Sequence, residues 1–173
     1  FRFFESRFTI CPMIGYAASE QDLNIVDGNQ VFTAPPATTP IGPFENLNSR
    51  YQTRWIGPWI GLDLLFSAPI TQGPFSAVRV QLTGEYHWTT YDAEANWNLR
   101  SDFNHPVSFV HEADGEGFAA GVDVHLALKS RWGIHLGMNL REMPAGSGLD
   151  RTFPADGSVV DPRLNTVRWR VSP

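Results

Sequence analysis

Apolar and polar side chains alternate one by one over long stretches of this chain, the period of a strand with one apolar face and one polar face. Residues 75–90 show it best. Val78, Val80, Leu82, Tyr86 and Trp88 fall on one face; Arg79, Gln81, Thr83, Glu85, His87 and Thr89 fall on the other. Wound as a helix, the same residues would scatter both classes around the axis. Three further segments repeat the pattern. In 118–129, Phe118, Ala120, Val122, Val124, Leu126 and Leu128 oppose Gly121, Asp123, His125 and Lys129. In 132–141, Trp132, Ile134, Leu136, Met138 and Leu140 oppose Gly133, His135, Gly137, Asn139 and Arg141. In 56–66, Ile56, Pro58, Ile60, Leu62, Leu64 and Phe66 oppose Gly57, Trp59, Gly61, Asp63 and Leu65. A weaker first segment sets Phe8, Ile10, Ile14 and Tyr16 against Thr9, Cys11, Met13 and Gly15, and a last one, 164–171, sets Val167, Trp169 and Val171 against Arg168 and Arg170. The pattern predicts five full strands and one broken one. Pro12 and Pro58 withhold a ladder donor, so bulges or local edges are expected at both.

The connections alternate between long and short. Long loops are expected near 27–48, 92–116 and 142–163, and short turns near 67–74 and 129–131. In an up-and-down meander, alternate connections lie at the same end, so all the long loops share one end. This asymmetry predicts an all-β fold, an antiparallel up-and-down transmembrane β-barrel with short inner turns and long extracellular loops. Phe66, Phe75 and Trp132 then flank the short turns. Trp55, Trp88 and Trp97 lie toward the long loops, at the level where aromatic rings meet lipid headgroups. Val78, Val80, Leu82, Leu126, Leu136 and Met138 are expected to face lipid. Arg79, Glu85, His87, Asp123, His125, His135, Asn139 and Arg141 are expected to form a polar network in the lumen. A soluble, lipocalin-like carrier would show the same alternation with its faces exchanged. Bacterial single-chain barrels start at eight strands, and unpaired edges cannot be hydrated in lipid. The six strands are therefore expected to be a segment of an eight- to ten-stranded barrel, completed by flanking strands or by a protein partner.

Composition narrows the classes. The 173 residues are one domain's worth, 42% hydrophobic and only 18% charged, with 15 Gly and 13 Pro that favour turns over long helices. No apolar run approaches the roughly 20 residues of a transmembrane helix. A net charge of -5 argues against a nucleic-acid partner. Cys11 is the single cysteine, which excludes an internal disulfide and a thiolate zinc cluster. Residues 1–7 have neither the apolar core nor the cleavage site of a signal peptide. Localisation is therefore read from the body of the chain, as the outer membrane of a Gram-negative bacterium.

Two stretches carry a family likeness. Arg54-Trp55-Ile56-Gly57-Pro58-Trp59-Ile60-Gly61-Leu62-Asp63 and the hairpin from Gly121 to Ile134 resemble Gram-negative outer-membrane barrel proteins. The order of elements, with Gly84-Glu85-Tyr86 and the Tyr91-Asp92 entry to a loop, resembles the omptin group of tall ten-stranded barrels. That resemblance implies a surface endopeptidase with an Asp–His dyad opposite a pair of Asp residues. The dyad would fall just after Tyr91, near Asp92, Glu94 and Asn96, but Ala95, Asn96 and Trp97 follow Glu94 and no histidine stands there. The opposing pair would precede Phe1. A carboxylate of ordinary pKa is a poor base beside an imidazole. No catalytic residue is therefore assigned. The expected role is structural or surface-binding, with the long loops recognising a partner or ligand and an omptin-like endopeptidase as the alternative.

His105 and His111 fall in the expected 92–116 loop with Asp102, Glu112, Asp114 and Glu116. These carboxylates could hold a hard cation, but they lack the spacing of a calcium loop. A solvated acidic loop is expected, with no metal and no cofactor.

The face assignment is testable. Leu82→Arg or Leu136→Arg should each cost roughly 2–4 kcal/mol at a mid-membrane position and block assembly. Thr83→Arg should assemble nearly as the parent does, as scored by heat-modifiable migration after refolding. Equal tolerance at both parities would contradict the membrane assignment.

Overall fold

The computed structural model describes residues 7–35, 40–164 and 167–171. All regular structure among them is β. The elements are β1 (Arg7–Val26), β2 (Asn29–Gln30), β3 (Gly42–Pro43), β4 (Asn48–Pro69), β5 (Phe75–Asn96), β6 (Phe109–Leu128), β7 (Gly133–Ala145), β8 (Gly148–Thr152), β9 (Arg163–Leu164) and β10 (Val167–Val171). The main sheet is an antiparallel meander in the order β1-β4-β5-β6-β7-β10, and β2 and β3 form a separate two-stranded ribbon. β8 continues β7 along β6, and β9 continues β10 along β8. Six strand lines thus make a segment of barrel wall. Among the described residues β1 and β10 do not meet, so the sheet is open.

The two short turns, 70–74 and 129–132, share one end. They are tied together by the Lys129 N–H donating to the Pro74 carbonyl at 2.9 Å. Connections 27–47, 97–108 and 153–162 lie at the other end. The strands run well past the alternating segments on that side. Residues 92–96 and 109–116, expected as loop, are the outer ends of β5 and β6, and 142–145 and 148–152 belong to β7 and β8. The first connection, expected near 27–48, carries the β2–β3 ribbon and ends where β4 begins at Asn48. Alternation fades in the extended stretches because both faces there carry polar and small residues. The last segment is described by its backbone pairing with β7; its side-chain faces lie outside the described residues, as do positions 1–6 and 36–39.

Above a bulge between Phe75 and Ala77 at the short-turn end, register keeps one parity through β1, β4, β5, β6 and β7. Odd residues pair with odd and even with even, from Cys11↔Asp63 to Asp63↔Thr83, Thr83↔Gly121 and Gly121↔Asn139. The sheet is a single layer, so burial of its odd face comes from curvature: the wall wraps around its odd side chains. The even face looks outward. Between the short turns and the row Tyr16–Pro58–Trp88 that face is apolar and exposed, with Ile14 83% and Leu136 64% accessible, apart from the buried Glu142 beside Phe118. This is the reverse of a soluble carrier, whose apolar face would turn inward. From Val78 to Trp88 the band is ten steps tall, about 34 Å along the strand and roughly 26 Å at the usual barrel tilt. Beyond it the even face becomes a charged collar, with Glu20, Arg54, Asp92 and Glu112 in one row.

The odd face changes in the opposite sense. Level with the apolar band it is polar, with Asp63, Glu85, His87 and Asp123. Above the band it carries the hydrophobic core of Trp55, Tyr91, Ala93, Ala113, Met143 and Ala145. The wall therefore exchanges its apolar side between lower and upper halves with no slip in register.

Prolines mark that boundary. Pairing of β4 with β5 lapses at Gly57–Pro58, and pairing of β6 with β7 lapses at Met143–Pro144. Both prolines lack an N–H for the facing strand. Strands crowd beside them: a Cβ on Gly57 would sit 1.8 Å from the Trp88 carbonyl oxygen, and one on Gly115 2.2 Å from that of Pro144. Pro12 keeps its rung with Leu62.

Gly57→Ala should therefore destabilise the fold by about 1–3 kcal/mol, because backbone rather than a flexible side chain must give way. Gly84→Ala, with open space around it, should be nearly neutral. Urea titration of the refolded protein would compare them, and equal midpoints would contradict the close approach.

Candidate functional site

Two clusters of chemistry-bearing side chains lie on the odd face. The lower one contains the expected network. Arg79, Glu85, His87, Asp123, His125, His135, Asn139 and Arg141 all share that face. The Glu85 Oε2 atom accepts from His87 Nε2 at 2.9 Å and from Arg141 Nη2 at 3.4 Å. Arg141 reaches Glu85 across β6 because the residue between them in the row is Ala119. His87 is fully buried and stacked on Trp59, with ring centroids 5.9 Å apart. Among the described residues its Nδ1 has no hydrogen-bond partner. His135 donates to Asp123 Oδ1 at 2.8 Å. Arg79 and His125 are register partners, and no ion pair joins them to another described residue. Asn139 stands opposite Gly121.

The upper cluster lies outside the expected network. Tyr51 on β4, Tyr91 on β5, His111 on β6 and Asp150 on β8 form a chain of polar contacts. His111 Nε2 lies 3.5 Å from Asp150 Oδ1, His111 Nδ1 lies 3.2 Å from the Tyr51 hydroxyl, and the Tyr51 and Tyr91 hydroxyls are 2.5 Å apart. Tyr51 reaches His111 across β5 because Ala93 and Ala95 leave the space open. Phe109 stacks on His111 at 4.9 Å, and Trp55 packs on Tyr91 at 4.4 Å. Asp150 joins by an offset. From Gly115 to Glu112 on β6 is three steps, whereas their partners Ala145 and Leu149 are four apart, so the β7–β8 line carries one extra residue. Beyond that bulge, even residues turn inward.

Burial holds the His111 imidazole below its ordinary pKa, against an opposing pull from Asp150. Burial likewise raises the Tyr51 and Tyr91 hydroxyls above theirs. The neutral relay is satisfied in one direction: Nε2–H toward Asp150, Tyr51 O–H to Nδ1, and Tyr91 O–H to Tyr51.

Several expected placements change. His111, Glu112, Asp114 and Glu116 are strand residues rather than loop residues, and the three carboxylates point outward. His105 remains in the connection, its Nδ1 2.9 Å from Asn96 Oδ1. Asp92 and Glu94 also point outward, so the positions of the resembled dyad do not open onto the odd face. Trp55, expected at the headgroup level, is turned inward and 3% exposed. Trp88 is exposed on the even face as expected, while Trp97 packs on Phe103 and Phe109. Among the described residues, no group of three or more His, Cys, Asp or Glu is placed to hold a metal ion. Continuation of odd parity past residue 90 on β5 and before residue 56 on β4 would have pointed to Tyr91, Tyr51 and Trp55. No local signal would have pointed to Asp150.

A family model described as Pom, Protochlamydia outer membrane protein, matches residues 1–172. The chain belongs to this family. It is thereby a protein of the outer membrane of a Gram-negative bacterium. No curated protein and no solved structure matches it. Nothing in these comparisons supports the omptin resemblance.

The buried neutral His111 has a pH signature. Its folded pKa lies below the unfolded value near 6.5, so the unfolded state binds the proton first as pH falls. Its share of stability is present above about pH 6.5 and declines as pH drops toward the folded value. Urea midpoints measured from pH 7.5 down to pH 5 should fall more steeply for the parent than for His111→Gln. Parallel slopes would place the imidazole in water.

Proposed function

We propose that this Protochlamydia outer membrane protein family member is a non-catalytic barrel wall that displays recognition loops above the membrane. The observation that carries the reading is the exchange of apolar sides halfway up the strands. Val78, Val80, Leu82, Leu126, Leu136 and Met138 lie in the lower outward band, where lipid is the solvent that rewards apolar exposure. In the upper half water surrounds the wall, and the sheet folds its own aromatic core inward. The Asp150–His111–Tyr51–Tyr91 chain and the packing of Trp97 on Phe103 and Phe109 stiffen that upper wall. Connections 97–108 and 153–162 are joined there by the Asn104 N–H donating to the Phe153 carbonyl and the Phe153 N–H to the Ser108 carbonyl. Loops on such a scaffold are well placed for binding.

The polar chain is held among four strand lines, and Tyr91 is only 1% exposed. That placement supports a structural role over hydrolysis. Refolded protein in lipid should show no turnover of a fluorogenic dibasic peptide. Replacing 97–108 by a short Gly-Ser linker should abolish surface recognition of the partner or ligand while leaving bilayer insertion intact. Turnover lost in His111→Ala would overturn the non-catalytic reading, and recognition unaffected by the loop change would overturn the assignment to that loop.

A further inference from the structure

We propose that Tyr51 is a one-electron donor to dissolved oxygen-centred radicals, with His111 taking its phenolic proton. The role is independent of the membrane reading and belongs to the upper cluster alone. Stiffening by itself does not call for such a cluster. Two hydroxyls and an imidazole in an aromatic core cost desolvation that phenylalanine and leucine would not. What these groups add is a directed line of protons, from Tyr91 to Tyr51 to His111 to Asp150.

A phenol that loses an electron becomes a strong acid, so its proton must leave as the electron does. Among the described residues, Tyr51 is the one tyrosine with an imidazole in reach, His111 Nδ1 lying 3.2 Å from its hydroxyl. Tyr86 donates to the Glu116 carboxylate, and a carboxylate is by nature a weaker base than an imidazole. Tyr91 donates to Tyr51 itself. Tyr51 is half-buried on the odd face, so an oxidant in the lumen can take its electron without entering the core.

The step balances within the relay. The radical X• takes one electron and becomes the anion X−. The Tyr51 O–H bond breaks, an N–H bond forms at His111 Nδ1, and Tyr51 is left as a neutral phenoxyl. His111 becomes an imidazolium whose Nε2–H faces the Asp150 carboxylate at 3.5 Å, so the new charge meets its counter-charge in place. The phenoxyl oxygen keeps the hydrogen bond from Tyr91. Such partners count for more in a low-dielectric site. Trp55 packs 4.4 Å from Tyr91 and has no proton acceptor of its own among the described residues. An electron lost from that indole is replaced through the tyrosine pair, and the deficit settles at Tyr51, where a proton can follow it.

The test is flash-quench oxidation of the refolded full-length protein by photogenerated ruthenium(III) tris-bipyridine, read by transient tyrosyl absorption and high-field EPR. The parent should give a tyrosyl radical whose formation slows in deuterium oxide. Tyr51→Phe should abolish it, and Tyr86→Phe should leave it unchanged. His111→Gln should slow its formation by roughly a hundredfold, the low end of what a positioned proton acceptor contributes. Tyr91→Phe should keep the radical but shift its g-tensor, because the phenoxyl oxygen loses a hydrogen bond. Peroxyl radicals from an azo initiator should yield the same EPR spectrum. A radical that survives Tyr51→Phe, a rate unmoved by His111→Gln, or a parent without a solvent isotope effect overturns the proposal. A signal obtained with ruthenium but not with peroxyl radicals overturns the assignment of the oxidant. If His111→Gln fails to refold, the isotope effect in the parent and the g-shift in Tyr91→Phe decide in its place.

Discussion

Everything in this wall depends on the antiparallel register that pairs odd residues with odd from β1 to β7. A one-residue slip between any two strands would send half of the side chains to the wrong solvent. Because no slip occurs across the main strands above the bulge at Phe75–Ala77, a single layer can serve two environments. The lower half places aliphatic side chains outward and Glu85, His87, Asp123 and Arg141 inward; the upper half places carboxylates and arginines outward and Trp55 and Tyr91 inward. The same ladder carries both arrangements.

Size alternation on the odd face lets a single layer bury anything. Rows combine one or two large side chains with Gly or Ala neighbours, so that a long side chain reaches over the adjacent strand. Arg141 reaches Glu85 over Ala119, and Tyr51 reaches His111 over Ala93 and Ala95. Trp59 lies over Gly15, where a Cβ would meet its ring at 2.6 Å. The small residues are therefore as much a part of each cluster as the groups that carry chemistry.

The lower half was legible in the sequence because its two faces differ sharply in polarity, and Val78 to Trp88 needs only period two to be read. The odd face of the lower strands, with all eight polar residues, follows from the same parity. The upper half was opaque for a physical reason. There Asp92, Glu94, Glu112 and Asp114 alternate with alanine and glycine, which looks like solvated loop. Trp55 resembled a headgroup-level tryptophan because sequence alone does not show that the wall inverts at Pro58. Asp150 could not be matched to His111 without knowing the offset against β6.

That offset also governs how the strand tolerates change in length. Residues after Ser147 sit in the opposite phase from those before Ala145, so the single added position acts as a switch between sides. Losing it would turn Asp150 out and Arg151 in, leaving a cation beside the aromatic core and His111 without its carboxylate. Gaining or losing two residues would preserve the sides and alter only reach. Changes of length in this stretch that keep each side chain on its side are thereby confined to even steps.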